Sequence, residues 1–380
     1  MRRLRGPTFR LLGAEVTLHP SWIVVLPLIA VALAISRPEI TGDPLDGIAV
    51  GLGVAVALLA LVGALVHEGG HVAVARARRV PYGPATLYFF GGVETVDRPA
   101  STPRDEVLIA GGGPVANLVL AVLLGAAASA VAPATPTGVL EAVHEALLLG
   151  SGLSALIGIA NLLPGEPLDG GRIVHGIAWS VTHDRARARR TASRTGRSVG
   201  LLLMGGGFVT ALAGDPVDSV VLIAAGWFVR SGAVAAERRA GLRDLVGDLH
   251  VEDAMERDAP ALAPQLTLDT FAPAALETGE NDAFAVRRDG ELVGVLGIRS
   301  IRRLRRDRWP TVRVEQAMTA LADLTPLAPD APLWPAIEEL QRSGGDALPV
   351  VGETGVVGLL TRVSVARLVT ERAKAAGRTL

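Results

Sequence analysis

The chain has no cysteine. Disulfides and thiolate metal sites are therefore excluded, and any metal must be held by His, Asp or Glu. Lysine is almost absent, so the placement of arginine alone reports where positive charge lies. A net charge of any size is lacking too: the formal value of -1 offers no basic excess for nucleic acid, which is not among the expected partners. The N-terminus, MRRLRGPTFRLLGAEVTLHPSW, is basic ahead of an apolar run. No small-residue cleavage pattern follows Ile35, so this does not read as a secretion signal.

What the sequence does have is long apolar runs. From 18 to 228 they alternate with short polar connections, whereas from about 238 onward they shorten and charges come every few residues. The 49% hydrophobic content thus averages a membrane half and a soluble half, with domains expected at 1–245 and 246–380.

A spanning helix needs roughly 20 apolar residues. Six segments approach that, at about 20–36, 47–72, 107–132, 140–163, 198–213 and 218–235, the fifth interrupted by Gly205, Gly206 and Gly207. Arginine sorts to alternate connections. Arg2, Arg3, Arg5 and Arg10 precede the first segment, and Arg76, Arg78, Arg79, Arg98 and Arg104 follow the second. Arg185, Arg187, Arg189, Arg190, Arg194 and Arg197 follow the fourth, and Arg238, Arg239 and Arg243 the sixth. The other connections hold only Arg37 beside acids such as Glu39, Asp43, Asp46 and Asp215. By the positive-inside rule this gives a six-span protein of the cell membrane with both termini cytoplasmic. A basic soluble helical protein would not sort its arginines in this way.

The second apolar segment ends in Leu61-Val-Gly-Ala-Leu-Val-His67-Glu68-Gly69-Gly70-His71. Two His at i and i+4 share one helix face and can reach one zinc ion, while the Glu between them can act as general base towards water. Charged groups in an apolar span are costly, about 2.5–3.5 kcal/mol each on insertion scales, and usually mark function. Gly69 and Gly70 weaken the helix and are expected to allow close approach of another backbone.

Catalytic zinc usually takes three protein ligands. Candidates for the third are His144, His175, His183 and several acids. Asp169, in Asn161-Leu-Leu-Pro164-Gly-Glu-Pro167-Leu-Asp169-Gly170-Gly171-Arg172, is the best placed, because it lies at the same end of the fourth span as His67 and His71. His144 falls at the opposite end, and His183 in the arginine-rich connection.

His67-Glu68-Gly69-Gly70-His71, taken with Asn161-Leu-Leu-Pro164 and Leu168-Asp169-Gly170, resembles the site-2 proteases, the intramembrane zinc metalloproteases. More narrowly, the chain looks like the branch that carries CBS domains. The resemblance implies that His67, His71 and Asp169 bind one zinc ion, that Glu68 activates water, and that Asn161 holds the substrate backbone or transition state. It implies a substrate that is a single-span membrane protein. Asn117, in Gly111-Gly-Gly-Pro114-Val-Ala-Asn117, matches a family position and is expected to pack against the active-site helix; an Asn bonded within a helix pair is the other reading. Between the second and third spans, Ala85-Thr-Leu-Tyr-Phe-Phe-Gly91-Gly92-Val-Glu94-Thr-Val reads as a hairpin. In the family such a sheet lies beside the zinc, where an unwound substrate could pair with its edge.

The soluble half repeats itself. Val251-Glu-Asp-Ala-Met255 leading to Glu291-Leu-Val-Gly294-Val-Leu-Gly297-Ile-Arg-Ser300 is matched by Val314-Glu-Gln-Ala-Met318 leading to Gly355-Val-Val-Gly358-Leu-Leu-Thr361-Arg-Val-Ser364. Repeats at about 251–309 and 313–372 resemble a tandem CBS pair. Such pairs bind adenine nucleotides, but here Gly297 and Ser300 replace the usual Thr and ribose-binding Asp, and Ser364 stands where Asp is expected. A nucleotide therefore stays an open expectation beside dimerisation and gating.

The expected fold is thus a mostly α, polytopic membrane protein of six transmembrane helices with a small membrane-associated β-hairpin or sheet, followed by an α/β CBS-pair domain. The alternatives are a CBS-gated metal or ion transporter, against which the first, fifth and sixth spans offer almost no polar groups, and an inactive homologue acting as a scaffold.

Overall fold

The computed structural model describes residues 6–36, 47–88, 91–94, 100–132, 138–278, 281–353 and 355–377. Arg2, Arg3, Arg5, Arg98, the 37–46 connection with its acids, most of the 133–139 connection, and the 89–90 and 95–96 parts of the expected hairpin lie outside these residues. The chain divides into two units, 1–238 and 239–380.

In the first unit the apolar runs form helices: α1 (Ser21–Ser36), α2 (Gly47–Ala77), α3 (Pro103–Ala130), α4 (Gly138–Asn161), α5 (Asp169–Thr182), α6 (Arg185–Leu212) and α7 (Pro216–Val246), the last running past the division. Among the described residues four of these, α2, α3, α4 and α7, are long and apolar enough to cross a membrane. The expected six are therefore not all found. The first expected span is the shorter apolar helix α1, and the fifth is only the C-terminal part of α6. The arginine-rich stretch from Arg185, read above as a connection, is helical as well. Asp184 caps it by accepting hydrogen bonds from Ala186 N (2.8 Å) and Arg187 N (3.0 Å), and Arg and Ala are good helix formers. Large apolar side chains face outward on α3 (Val122, Leu123), α4 (Leu156, Ile159) and α7 (Val220, Trp227). That surface suits lipid and not water. The chain is a multi-pass membrane protein.

Where helices cross, glycine sets the distance. A Cβ on Gly112 would lie 2.6 Å from the Gly70 carbonyl oxygen, and one on Gly70 would collide with the Gly112 carbonyl, so α2 and α3 touch backbone to backbone. Gly69 makes no comparable approach.

A four-stranded sheet adjoins the helices in the order β1 (Thr8–Leu11), β2 (Ala14–Leu18), β3 (Ala85–Tyr88) and β4 (Gly91–Glu94). The β3–β4 pair is the expected hairpin. The N-terminal pair was not expected, because its alternation of apolar and polar residues is short and stands next to a basic flank. It closes over Leu12-Gly13, both at positive φ, and β2 runs parallel to β3. Val16, Leu87 and Trp22 bury together, with Trp22 Nε1 donating to the Leu87 carbonyl (3.1 Å), which ties the sheet to α1.

The second unit shows its repeat directly. Two short helices, α8 (Val251–Ala254) and α11 (Val314–Ala317), occupy corresponding places. The first repeat has α9 (Ala272–Thr278), β6 (Ala283–Arg288), β7 (Glu291–Gly297) and α10 (Ile298–Arg303); the second has α12 (Leu333–Ser343), β9 (Ala347–Gly352), β10 (Gly355–Thr361) and α13 (Arg362–Ala375). Short strands β5 (Ala261–Leu262) and β8 (Thr319–Ala320) flank the β6–β7 hairpin. Alternating residues of the hairpins supply cores of Leu, Ile and Val, including Leu296, Leu348, Leu359 and Leu360.

Candidate metal centre

His67, Glu68 and His71 sit towards the C-terminal end of α2 and are all buried. Asp169 is the first residue of α5, following the connection from α4. The structure brings three ligand atoms together: His67 Nε2 lies 3.0 Å and His71 Nε2 3.3 Å from Asp169 Oδ2, and the two Nε2 atoms are 3.2 Å apart. Four ligands at about 2.0–2.2 Å in a tetrahedron stand roughly 3.3–3.6 Å from one another. The triangle therefore has nearly the size of one tetrahedral face, leaving a fourth position for water.

The far side of each imidazole fits the same role. His71 Nδ1 is 2.7 Å from the Ile109 carbonyl of α3; its N–H donates there and leaves Nε2 as the lone-pair donor. His67 Nδ1 lies 3.4 Å from the Asn117 amide, again on α3. Asn117 is wholly buried and its Oδ1 has no partner as oriented. Turning the amide over sets that orphaned oxygen against His67 Nδ1–H, which satisfies both groups and directs His67 Nε2 to the centre. The residues present thus fit a zinc ion.

Other contacts shape the site. A Cβ on Gly113 would collide with His71 Nε2 and lie 2.9 Å from His67 Nε2, so only glycine leaves room for the rings there. Helix α5 is pinned to α3 by Glu106, whose Oε1 is 3.5 Å from Arg172 Nε and 3.8 Å from His175 Nδ1. Tyr82, just past α2, donates its hydroxyl to Glu68 Oε1 (2.8 Å).

Of the other residues singled out, Asn161 ends α4 and gives one amide hydrogen to the Ile157 carbonyl (2.9 Å). His144 bonds the Ala128 carbonyl where α3 ends (2.9 Å), and His183 terminates α5. Sequence reasoning missed Tyr82, Gly113 and the Ile109 carbonyl. Only Tyr82 left a trace, as one of two tyrosines in the chain.

Comparison with known proteins bears on the same residues. The model of peptidase family M50 matches 137–204, which includes Asp169, and the CBS domain model matches 314–371. Rip3 of Mycobacterium tuberculosis, named as a zinc metalloprotease, is 32% identical over 365 residues, 96% of this chain and 92% of that one. This chain belongs to peptidase family M50. A second relative, sll0528 of Synechocystis, is 28% identical over 93% of both chains and is likewise named a zinc metalloprotease. The solved site-2 protease from Methanocaldococcus jannaschii aligns with 62% of this chain and 95% of its own, at 24% identity and a TM-score of 0.43. By its family and its relatives the chain is an M50 zinc metalloprotease joined to CBS sequence.

The nucleotide question turns on the second unit. A side chain at Gly297 would collide with the Asp346 carboxylate, which accepts a hydrogen bond from Arg299 N (2.9 Å) and pairs with Arg299 Nε (3.1 Å). Ser364 is buried, its hydroxyl bonded to the Thr361 backbone at 3.0 and 3.2 Å. Gly297 and Ser364, two of the three positions that differ from the nucleotide-binding pattern, are engaged within the domain's own framework.

Proposed function

We propose that the domain at 1–245 cleaves single-span membrane proteins within or beside the bilayer and that the domain at 246–380 regulates it. The observation that carries this reading is the His67–His71–Asp169 triangle next to the buried carboxylate of Glu68. His67, His71 and Asp169 hold the metal. Zinc, when bound, supplies Lewis-acid polarisation of water and of the scissile carbonyl. Glu68 takes the proton from the attacking water and gives it to the leaving amine. Because Tyr82 donates to Oε1, the other oxygen of Glu68 is the basic one. Asn161 keeps a second amide hydrogen and its carbonyl oxygen for the substrate backbone. Strand β4 is the edge of its sheet, where an extended substrate segment can add as a further strand.

The reading extends to topology. Six spans are supported by outward-facing Leu202, Val209 and Leu212 on α6, which continue the lipid-facing surface beyond its arginines. The alternation of arginine supports cytoplasmic termini in the cell membrane, and the CBS pair offers a route to a homodimer.

The test is the Glu68→Gln form beside the natural chain in lipid. Both hold about one zinc; the variant loses at least about 10²–10⁴-fold in cleavage of a single-span substrate. Equal cleavage by both rejects the assigned mechanism, and metal flux into vesicles that persists in the variant points to transport instead.

A further inference from the structure

The two repeats of the second unit treat their cations differently. In the second repeat the arginines of α13 are internally engaged. Arg362 donates to the Gly345 and Leu340 carbonyls, Arg367 faces Glu256 at 4.0 Å, and Arg372 pairs with Asp248 at 3.3 Å. The corresponding stretch of the first repeat, 299–308, carries six arginines against the single acid Asp307. Arg299 pairs with Asp346 and Arg305 with Asp307. Arg302, Arg303, Arg306 and Arg308 are exposed and make no ion pair among the described residues. This is not the overspill of a basic domain: 239–380 holds eighteen Lys and Arg against twenty-one Asp and Glu.

Nor is it a loose tail. Ile298, Ile301 and Trp309 are buried in one core with Leu268 and Val314, so the backbone from 298 to 309 is anchored and the arginines project from a fixed ridge. A prearranged charge cluster loses less entropy on binding than a flexible one. The ridge is also tethered to a bilayer, because α7, a helix long and apolar enough to span, continues into the unit. For a tethered surface the relevant concentration of lipid headgroups is permanently high.

We propose that this arginine ridge docks on the phosphate headgroups of anionic lipids in the leaflet facing the second unit, fixing the orientation of the CBS pair on the membrane. The inference rests on the membrane-protease reading only for the side on which the unit lies. A basic residue near an anionic surface contributes about 1 kcal/mol, or roughly fivefold in partition, so the four unpaired arginines together change the docked-to-free ratio by on the order of several hundredfold.

The absence of cysteine makes a direct test simple. A single fluorophore on Thr311→Cys, an exposed position beside the ridge, is followed in full-length protein in nanodiscs whose headgroups carry a quencher. Discs of phosphatidylcholine alone are compared with discs one-third phosphatidylglycerol. The expected result is quenching in the anionic discs only, reversed by high salt and lost when Arg302, Arg303, Arg306 and Arg308 are all replaced by Ser. Replacement of the same four by Lys keeps the quenching, which separates charge from any loss of fold. Equal quenching in both lipids, no quenching in either, or persistence in the Ser variant overturns the proposal. A signal that ignores lipid but responds to inorganic phosphate or RNA assigns the ridge to a soluble polyanion and overturns it too. Zinc content and cleavage are read on the same discs, so failure of docking with cleavage intact leaves the protease reading standing.

Discussion

The two units of this chain are held together by opposite means. In the second, fully buried Leu268, Leu296, Leu333, Leu348 and Leu360 form cores from which water is expelled. In the first, the outward faces of the membrane helices are themselves apolar, so removing hydrocarbon from water cannot bring those helices together. Backbone contact takes over: Gly70 against Gly112, and Gly200 against Gly226, where a Cβ on Gly200 would lie 2.6 Å from the Gly226 carbonyl oxygen. Small residues therefore carry in the membrane unit the role that large ones carry in the soluble unit, and the metal centre is built at one of those glycine contacts.

That contrast can be broken by experiment. The largest effect is expected from Gly113→Ala, the smallest possible addition to a side chain. A methyl there drives against His71 Nε2, so zinc content and cleavage should both be lost while thermal unfolding of the second unit stays unchanged. Retention of zinc by this form would show that α3 can move away from α2. Leu360→Ala reverses the experiment. It should destabilise the second unit by about 2–5 kcal/mol in denaturant titration and leave bound zinc untouched. A smaller effect is expected from Asn117→Ala, which removes the partner of His67 Nδ1. Zinc affinity should fall about 10–100-fold in competition with a chelator, and unaltered affinity would reject the orientation assigned to that amide.

The mildest prediction concerns Asp282, the residue before β6. Burial and the nearby Asp346 carboxylate raise its pKa above the unfolded value. The folded chain therefore holds more protons than the unfolded chain between the two values, and stability falls as pH rises through that interval. Asp282→Asn does not titrate. It should raise the neutral-pH melting temperature of the second unit slightly and remove that part of the pH dependence; a lower melting temperature would mean that the carboxylate's bonds to Val363 and Thr361 matter more than its burial.

How much of this was visible in the sequence follows from the same contrast. His67 and His71 were legible because helical periodicity alone puts i and i+4 on one face. Asp169 stood out because the alternation of spans puts it at the same end of the fourth as His67 and His71. The CBS repeat was legible because both copies preserve the same pattern of small and branched residues. Gly113 and the Ile109 carbonyl could not be read, since their roles depend on where α3 meets α2 and no spacing records a contact between helices. Tyr82 reaches Glu68 only because the chain turns back after α2. The β1–β2 hairpin was hidden by its shortness, and the helical start of α6 by arginines that suggested a connection although they are good helix formers.

The Ile109 carbonyl, the bare Cα of Gly113 and the amide of Asn117 follow one another at intervals of four residues; the first and last support the imidazoles at Nδ1, and the glycine between them leaves room for their Nε2 atoms. Successive residues on a helix are about 100° apart in azimuth. A slip of α3 by a single residue would therefore swing all three away together, so the histidines are either fully braced or not braced at all, and a half-assembled centre has no stable rotation to occupy.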